Sequence, residues 1–385
     1  MYWRKPVLEF LINGRPVMPP PLELRVEQRQ INNTLMFLSL HYPTDSGLGF
    51  VKPKIYKENT AVEIRWGLAP DEVAHWYGYV HHVDYINRSP VRPKNIQVDY
   101  VLIGNGQMLS ISRTKEWREM TDSAIAQEIA TKHRLSFVAH QTKKVHKYVF
   151  QDRKTDLAFV QERAAASGRR AWVENGVLYF VDPAAWAAAK APQAPEYEVH
   201  NTGNKLYDVT DLRAYIGGDM PSTTGRLVEH TAYGVDFNSN QLIYNKAGNP
   251  DDRQEVIPDT RLDSQTDLDF TLESAQVYQQ DWFTASATLP GSIKLQPGQP
   301  ITFKGDKIAD RLKGDWVITA ATHTLRAPIN SMVLKGKVDF TTYVDLARNA
   351  PDSYNYRDQT APRIDDRCIL SGGNWYAQSM RTIIL

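Results

Sequence analysis

Cysteine is almost missing: Cys368 is the only one in 385 residues. One cysteine excludes an internal disulfide and a cysteine-built metal site, and a reducing cytoplasm is the expected place of folding. A surplus of one charge sign is missing too, since 45 Lys and Arg against 44 Asp and Glu leave +1. Binding free nucleic acid draws on a strong basic excess, so that class loses ground. No apolar run reaches the roughly eighteen residues that a membrane-spanning helix needs. The opening "MYWRKPVLEFLING" has neither the apolar core nor the small-residue cleavage site of a secretory leader. What remains, 42% hydrophobic and 23% charged, is the balance of a folded globular chain long enough for two or more domains.

Residues 1 to about 108 read as strands. "VLEFLI", "LELRVEQ", "LMFLSLHY", "AVEIRWG", "WYGYVHHVDYI" and "IQVDYVLIG" are rich in β-branched and aromatic residues. Val62, Ile64 and Trp66 alternate with Glu63 and Arg65, the period of a half-buried strand. Pro19 to Pro21 and "DSGLG" at Asp45 to Gly49 punctuate the runs, and short strands so spaced predict a small barrel or sandwich.

The pattern changes near residue 110. Thr121 is an N-cap for a helix with Asp122 in its first turn and Ile125 and Ile129 on one face. A strand, Lys147 to Gln151, leads to a second helix capped by Thr155, with Asp156 against its dipole and Leu157, Val160 and Ala164 facing inward. Gly168 is placed to end that helix in the left-handed conformation. Asn175-Gly176 between "AWVE" and "VLYFV" predicts a hairpin, with Trp172, Tyr179 and Phe180 buried. "PAAWAAAKAPQAP" (Pro183 to Pro195) is confined by its prolines to about two helical turns, a connector. Beyond it come strand-and-loop sequence, a short helix at Leu268 to Gln280, a second strand-rich region and a proline-broken tail ending in "TIIL".

The last strand-rich region echoes the first. Ile64 and Trp66 correspond to Ile301 and Phe303, Tyr79 and Val80 to Trp316 and Val317, and Val83 to Ala320, with thirteen residues from Trp66 to Tyr79 and from Phe303 to Trp316. Any two amphipathic hairpins share some likeness; the sharper reading is one duplicated barrel.

No catalytic set emerges. His81 and His82 are adjacent on a strand and point to opposite faces, so they do not share one ion. His133, His140, His146, His200, His230 and His323 follow no metal-ligand spacing and are expected at the surface or a barrel rim. Asp251-Asp252 and Asp365-Asp366 read as solvated turn charges, not carboxylates held across a cleft. "GNGQ" (Gly104 to Gln107) and "SGG" (Ser371 to Gly373) are neither a nucleophile elbow nor a phosphate loop. Lys143 to Lys147 with Tyr148 offers phosphate and stacking contacts, but a solvated strand edge is favoured. No catalytic, cofactor-binding or metal residue is expected, and no cofactor.

The sequence does resemble a family. "MLSISRTKEW", "TDSAIAQEIA" and "YVFQDRKTDLAFVQERAAASGRRAWVENGVLYFVDP", followed by "LQPGQPITFKG" and "GDWVITAATH", are similar in order and spacing to the baseplate hub proteins of contractile-tailed phages. These are the late control protein D group, with the hub region of type VI secretion spike proteins. The family's "Q…TDLxFVxxxAxxxG" signature is matched by Gln151, Thr155, Asp156, Leu157, Phe159, Val160, Ala165 and Gly168. Its late strands are matched by Pro297, Gly298, Gly314, Trp316, Val317 and His323. The likeness covers roughly residues 60–183 and 285–340.

The resemblance implies a mainly β fold with an α+β insert, two similar small β-barrels flanking that module, and a further strand-rich domain. The expected division is a first barrel (1–108), the α+β module with connector (109–195), a strand-and-loop domain (196–265), a second barrel (266–345) and an extension (346–385). It also implies a non-enzymatic virion protein of the tail baseplate, assembled in the host cytoplasm. Its role would be a homotrimeric ring with pseudo-sixfold symmetry between a sixfold tail tube protein and a separate threefold central spike protein. Baseplate wedge and tape-measure proteins are further expected partners, DNA only passes through the channel, and no membrane insertion is expected. A hub of another contractile injection system, or a tail protein that binds or cleaves cell wall, is the alternative.

Overall fold

The fold was analysed in a computed structural model. It describes residues 5–18, 21, 23–29, 32–43, 55–87, 95–104, 106, 109, 111–190, 195–198, 211–216, 228–236, 239–247, 253–257, 265, 268–269, 271–272, 283–305, 308, 312–326 and 339–348. The expectations for "DSGLG", Asp251-Asp252, His200, Asp365-Asp366, Cys368, "SGG" and "TIIL" fall outside these residues.

The first region forms β1 (Lys5–Ile12), β2 (Arg15–Pro16), β3 (Glu23–Arg29), β4 (Asn32–Pro43), β5 (Ala61–Ala69), β6 (Glu72–Asn87) and β7 (Asn95–Gly104). Its alternating apolar residues all point to one core: Leu24 and Val26, Met36 and Leu38, Val62 and Ile64, Val98 and Tyr100 are buried. Each such side chain contributes about 1.5–3 kcal/mol on leaving water. Phe10 packs against Tyr100 at 5.5 Å in the same core.

The module that follows consists of β8 (Ser112–Thr121), α1 (Asp122–Lys132), β9 (Ser136–Ala139), β10 (Val145–Thr155), α2 (Asp156–Ala166), β11 (Arg170–Glu174), β12 (Val177–Val181) and α3 (Pro183–Lys190). β8 and β10 form an antiparallel ribbon, and β9 lies parallel to β12 in the sheet β11-β12-β9. Both expected caps form. Thr121 Oγ1 accepts from the Ala124 N–H at 3.2 Å, and Thr155 Oγ1 from that of Ala158 at 3.1 Å. Gly168 ends α2 at φ +63°, while Asn175 (+48°) and Gly176 (+76°) turn the hairpin. Phe180 and Trp172 are buried, while Tyr179 is half-buried and stacks on Trp172 at 4.8 Å.

The remaining strands are β13 (Glu196–Glu198), β14 (Asp211–Ile216), β15 (Val228–Asp236), β16 (Gln241–Ala247), β17 (Arg253–Ile257), β18 (Phe283–Pro290), β19 (Pro300–Lys304), β20 (Gly314–Arg326) and β21 (Asp339–Arg348). β16-β15-β17 is a sheet of its own, packed on Leu268 and Leu272, whose positions are helical. β13 and β14 instead join the main sheet.

That main sheet has 13 strands and contains one pattern twice. In chain order, β3, β4, β5, β6 and β7 are bonded as first-second-fifth-fourth-third, all antiparallel. β14, β18, β19, β20 and β21 repeat that order with the same antiparallel senses. The two sets are fused where β3 pairs β20, Val26 lying opposite His323. Leu325 and Phe340 of the second set sit in the first set's core. Among the described strands the sheet runs on continuously and does not close into two separate barrels.

The pairing also moves the register of the echo. Each fourth strand bulges against the fifth, after Val80 in β6 and after Ile318 in β20. Matching the bulges brings Val62 and Ile64 onto Ile301 and Phe303, and Gly78 and Val80 onto Trp316 and Ile318. The sequence echo was thus two residues off on β5 and one on β6. Period-two patterns match equally well at shifts of two, and the first hairpin is one residue longer, with sixteen residues from Val62 to its partner Gly78 against fifteen from Ile301 to Trp316, so equal spacing misaligns its strands.

Candidate assembly edges and buried carboxylate clamps

Two carboxylates at helix starts are each buried and held by several donors. Asp122, first in α1, accepts from Arg163 Nε at 2.6 Å, and its other oxygen lies 3.0 Å from His146 Nε2. Asp156, first in α2, lies 2.7 Å from His133 Nε2 and accepts from Lys132 Nζ at 3.0 Å and Gln151 Nε2 at 2.9 Å. Arg163 is in the last turn of α2, Lys132 in that of α1, and His133 caps α1. Each helix therefore offers an anion at its positive end to cations at the other's negative end. Burial alone would raise both carboxyls, but these donors outweigh it and hold both below the usual carboxylate range.

Such groups stay ionised, whereas a general acid needs a raised pKa. Ser123, next to Asp122, donates to Gln141 Oε1 and accepts from the Thr142 N–H. The arrangement locks helices. His140 is similar in kind: burial pushes its pKa down, and its Nδ1 accepts from the Asp182 N–H at 2.9 Å. Asp182 in turn caps α3 through the Ala185 N–H and accepts from Arg169.

The expectation of surface or rim histidines holds for His81 and His82, both exposed, and fails for His230 and His323, which are buried. His133 and His146 are largely enclosed beside their aspartates. Among the described residues no group of three or more metal-ligating side chains comes together. In the basic stretch Lys143, Lys147 and Tyr148 are exposed, and Tyr148 stacks on Phe150 at 6.2 Å on the outside of β10.

His323 is the centre of a polar relay. Its Nε2 lies 3.3 Å from Gln28 Oε1, so Nε2–H donates and Nδ1 accepts from the Thr342 hydroxyl at 3.0 Å. Thr342 Oγ1 accepts from the Ser292 N–H, and Gln28 Nε2 donates to Glu174 of β11 at 3.4 Å. Ser292 Oγ also donates to Glu72 of the first set at 3.0 Å. One relay thus ties both strand sets to the module. Burial pushes His323 down to about 3, so it is neutral at neutral pH.

Two edges of the main sheet bear on assembly. Among the described strands β14 pairs only β18 and ends the strand order. β6 pairs β5 through Tyr79, and Val80 still exchanges bonds with Asn59 and Thr60. From His82 to Asn87 its partner among the described strands is β7 alone. Tyr85 there is 48% exposed. No sequence reasoning above singled out these edges. The signal was present in "ELRV" (Glu23 to Val26) and "DLRA" (Asp211 to Ala214), the first strands of the two sets.

Comparison with known proteins places this geometry. The family described as phage tail baseplate hub (GPD) matches residues 51–329, well over half of the chain. A search of curated proteins finds no match. Among solved structures, the 43 kDa tail protein of prophage MuSo2 from Shewanella oneidensis superposes with a TM-score of 0.62 at 10% identity, over 90% of this chain and 98% of the other. A tail protein from Neisseria meningitidis MC58 gives 0.62 at 12%, over 89% and 97%. The E. coli c3393 protein, a component of the type VI secretion system, gives 0.57 at 11%, over 90% and 78%. At these identities the likeness is one of fold. The family match goes further, and the chain belongs to the phage tail baseplate hub family, a family of structural tail components.

Proposed function

We propose that this chain is the hub of a tail baseplate, a homotrimer whose two strand sets per copy present six similar faces to the tail tube and three identical chains to the central spike. The observation that carries it is the doubled strand order, fused at β3 and β20. Three chains with two such sets each are the simplest closed object that matches a sixfold to a threefold axis. In the ring each set would close as a small barrel with help from its neighbours, and divisions at residues 108, 195, 265 and 345 would mark the domains, the 196–265 domain lending β13 and β14 to the second set's sheet. The virion tail is the location that the family implies. Assembly in the host cytoplasm, and contacts with wedge and tape-measure proteins, belong to the same proposal.

The reading requires no chemical step, and the ionised Asp122 and Asp156 suit a scaffold. Mass measurement of the purified chain, alone and with tube and spike proteins, tests it: a trimer that binds both is expected. A monomer indifferent to both overturns it. Clearing of purified cell wall by the chain alone would favour the wall-cleaving alternative.

A further inference from the structure

We propose that the bare half of β6 is completed by β14 of a second copy, antiparallel, with Tyr85 opposite the partner subunit's Ala214. This deepens the hub reading and rests on it. The template lies inside the chain. β20 pairs β19 with its first residues, then continues past its bulge and pairs β3 from Ala320 to Arg326. β6 is built alike: it pairs β5, bulges after Val80 and continues, but no β3-like strand meets it among the described residues. β3 is the first strand of its set, and the first strand of the other set is β14. Each set thus has a fourth-strand extension and a first strand, and one extension and one first strand are left over.

Their residues can be matched through the pairings. Tyr100 lies opposite Leu38, and Leu38 opposite Leu24. Val344 lies opposite Ala287, and Ala287 opposite Leu212. Leu24 therefore matches Leu212, which aligns "ELRV" with "DLRA". The burial agrees, since Met36, Leu38 and Leu40 correspond to Ala285, Ala287 and Leu289, all buried. Beyond the bulges, Val83 and Tyr85 match Ala321 and His323.

The register then transfers directly. His323 opposite Val26 becomes Tyr85 opposite Ala214; Thr322 opposite Glu27 becomes Asp84 opposite Tyr215; Thr324 opposite Arg25 becomes Ile86 opposite Arg213. Ala321, His323 and Leu325 are buried where β3 joins β20. The matching Val83 is only half-buried, and Tyr85 is 48% exposed, as a seam without its partner would leave them. Within one chain β14 and β6 are not bonded. Each copy offers one edge of each kind, so the contact is head to tail and repeats until a ring closes. Backbone hydrogen bonds along an added strand supply its affinity.

The test is disulfide trapping in a Cys368→Ser background. Neighbouring antiparallel pairs alternate between wide and close, about 5.5 and 4.5 Å between Cα atoms. Tyr85→Cys with Ala214→Cys, and Asp84→Cys with Tyr215→Cys, therefore include one close pair. Expected are oxidised species of two and more chains from at least one of these double variants, and none from the out-of-register Asp84→Cys with Ala214→Cys. A disulfide within a single chain overturns the proposal. So does the absence of any in-register product from a chain that still weighs as a trimer, and that result leaves the hub reading standing. Hydrogen exchange on the unaltered chain gives a second measure. Residues 82–87 and 211–216 are expected to gain protection together on association, and an oligomer protecting neither also overturns the pairing.

Discussion

Asp122 Oδ1 lies 2.6 Å from Arg163 Nε, which ties the first residue of α1 to the last turn of α2. Asp122 is wholly buried, and the Arg163 side chain is nearly so. Removing one partner of such a pair strands a charge, at a cost of about 3–5 kcal/mol. Arg163→Ala is expected to lower the unfolding free energy read from urea denaturation by that much, and the Asp122→Asn, Arg163→Ala double variant to lose less than the sum of the singles. Additive losses would show that the two side chains do not act together.

Acid should weaken the fold through His323, with His140 adding in the same direction, before it reaches the clamps. The folded pKa is about 3 against an ordinary value of 6.5, so below 6.5 the unfolded chain binds a proton that the folded chain refuses. Stability is therefore full above pH 6.5 and falls by about 1.4 kcal/mol per unit as pH drops toward 3, or about 2 kcal/mol at pH 5. Asp122 and Asp156 are depressed below 3.8, so their contribution is present above that value and fades only under stronger acid. Comparing unfolding midpoints at pH 7.5 and 5 checks this. His323→Gln should flatten the slope, and a variant as acid-sensitive as the parent would show that another group is responsible.

Gly78 is a point where the first set tolerates no side chain. A Cβ there would stand 2.2 Å from the Trp76 ring and 2.4 Å from the Ile103 carbonyl oxygen. Trp76 is buried, and the carbonyl belongs to β7, so neither can yield cheaply. Gly78→Ala is expected to lose about 1–3 kcal/mol, the usual cost of overpacking, with the thermal midpoint as readout. Its counterpart Trp316 shows that the position is not glycine by rule. The indole at Trp76, two residues back, and the Ile103 carbonyl together forbid a side chain here.

Local elements were legible wherever one residue type carries a geometry. Thr121 and Thr155 announced helix starts, Gly168 a helix end and Asn175-Gly176 a turn, because each choice is settled within a few residues. The β3–β20 seam was not legible, because Val26 and His323 are nearly three hundred positions apart and no local pattern names a partner at that distance. The clamps lay between the two cases. "TDSAIAQEIA" and "TDLAFVQERA" agree at Thr, Asp, Ala, Gln, Glu and Ala, so a doubled helix was visible. That each aspartate would meet the opposite helix's cations depended on antiparallel packing, which the alternation of apolar residues does not state. His323 was misplaced at a rim for a similar reason: its neutral, hydrogen-bonded state comes from Gln28 and Thr342, on two other strands.

Phe340 offers a way to ask whether the two strand sets stand or fall together. It belongs to β21, yet it lies in the core of the first set, 6.1 Å from Trp66 and edge-on to it, with His323 6.4 Å away. Its ring also covers Gly291, where a Cβ would come within 2.1 Å. Truncating a buried phenylalanine costs about 3–5 kcal/mol through lost burial and the cavity left behind. If the shared core couples the sets, Phe340→Ala lowers the midpoint seen by the exchange of β4 and β7 amides as much as that seen at β18 and β20. If instead only the second set loosens while Met36, Leu38 and Tyr100 keep their protection, the sets are separate folding units and the seam at β3 and β20 is a late contact. The continuous sheet and the mixed membership of its cores point to the first result.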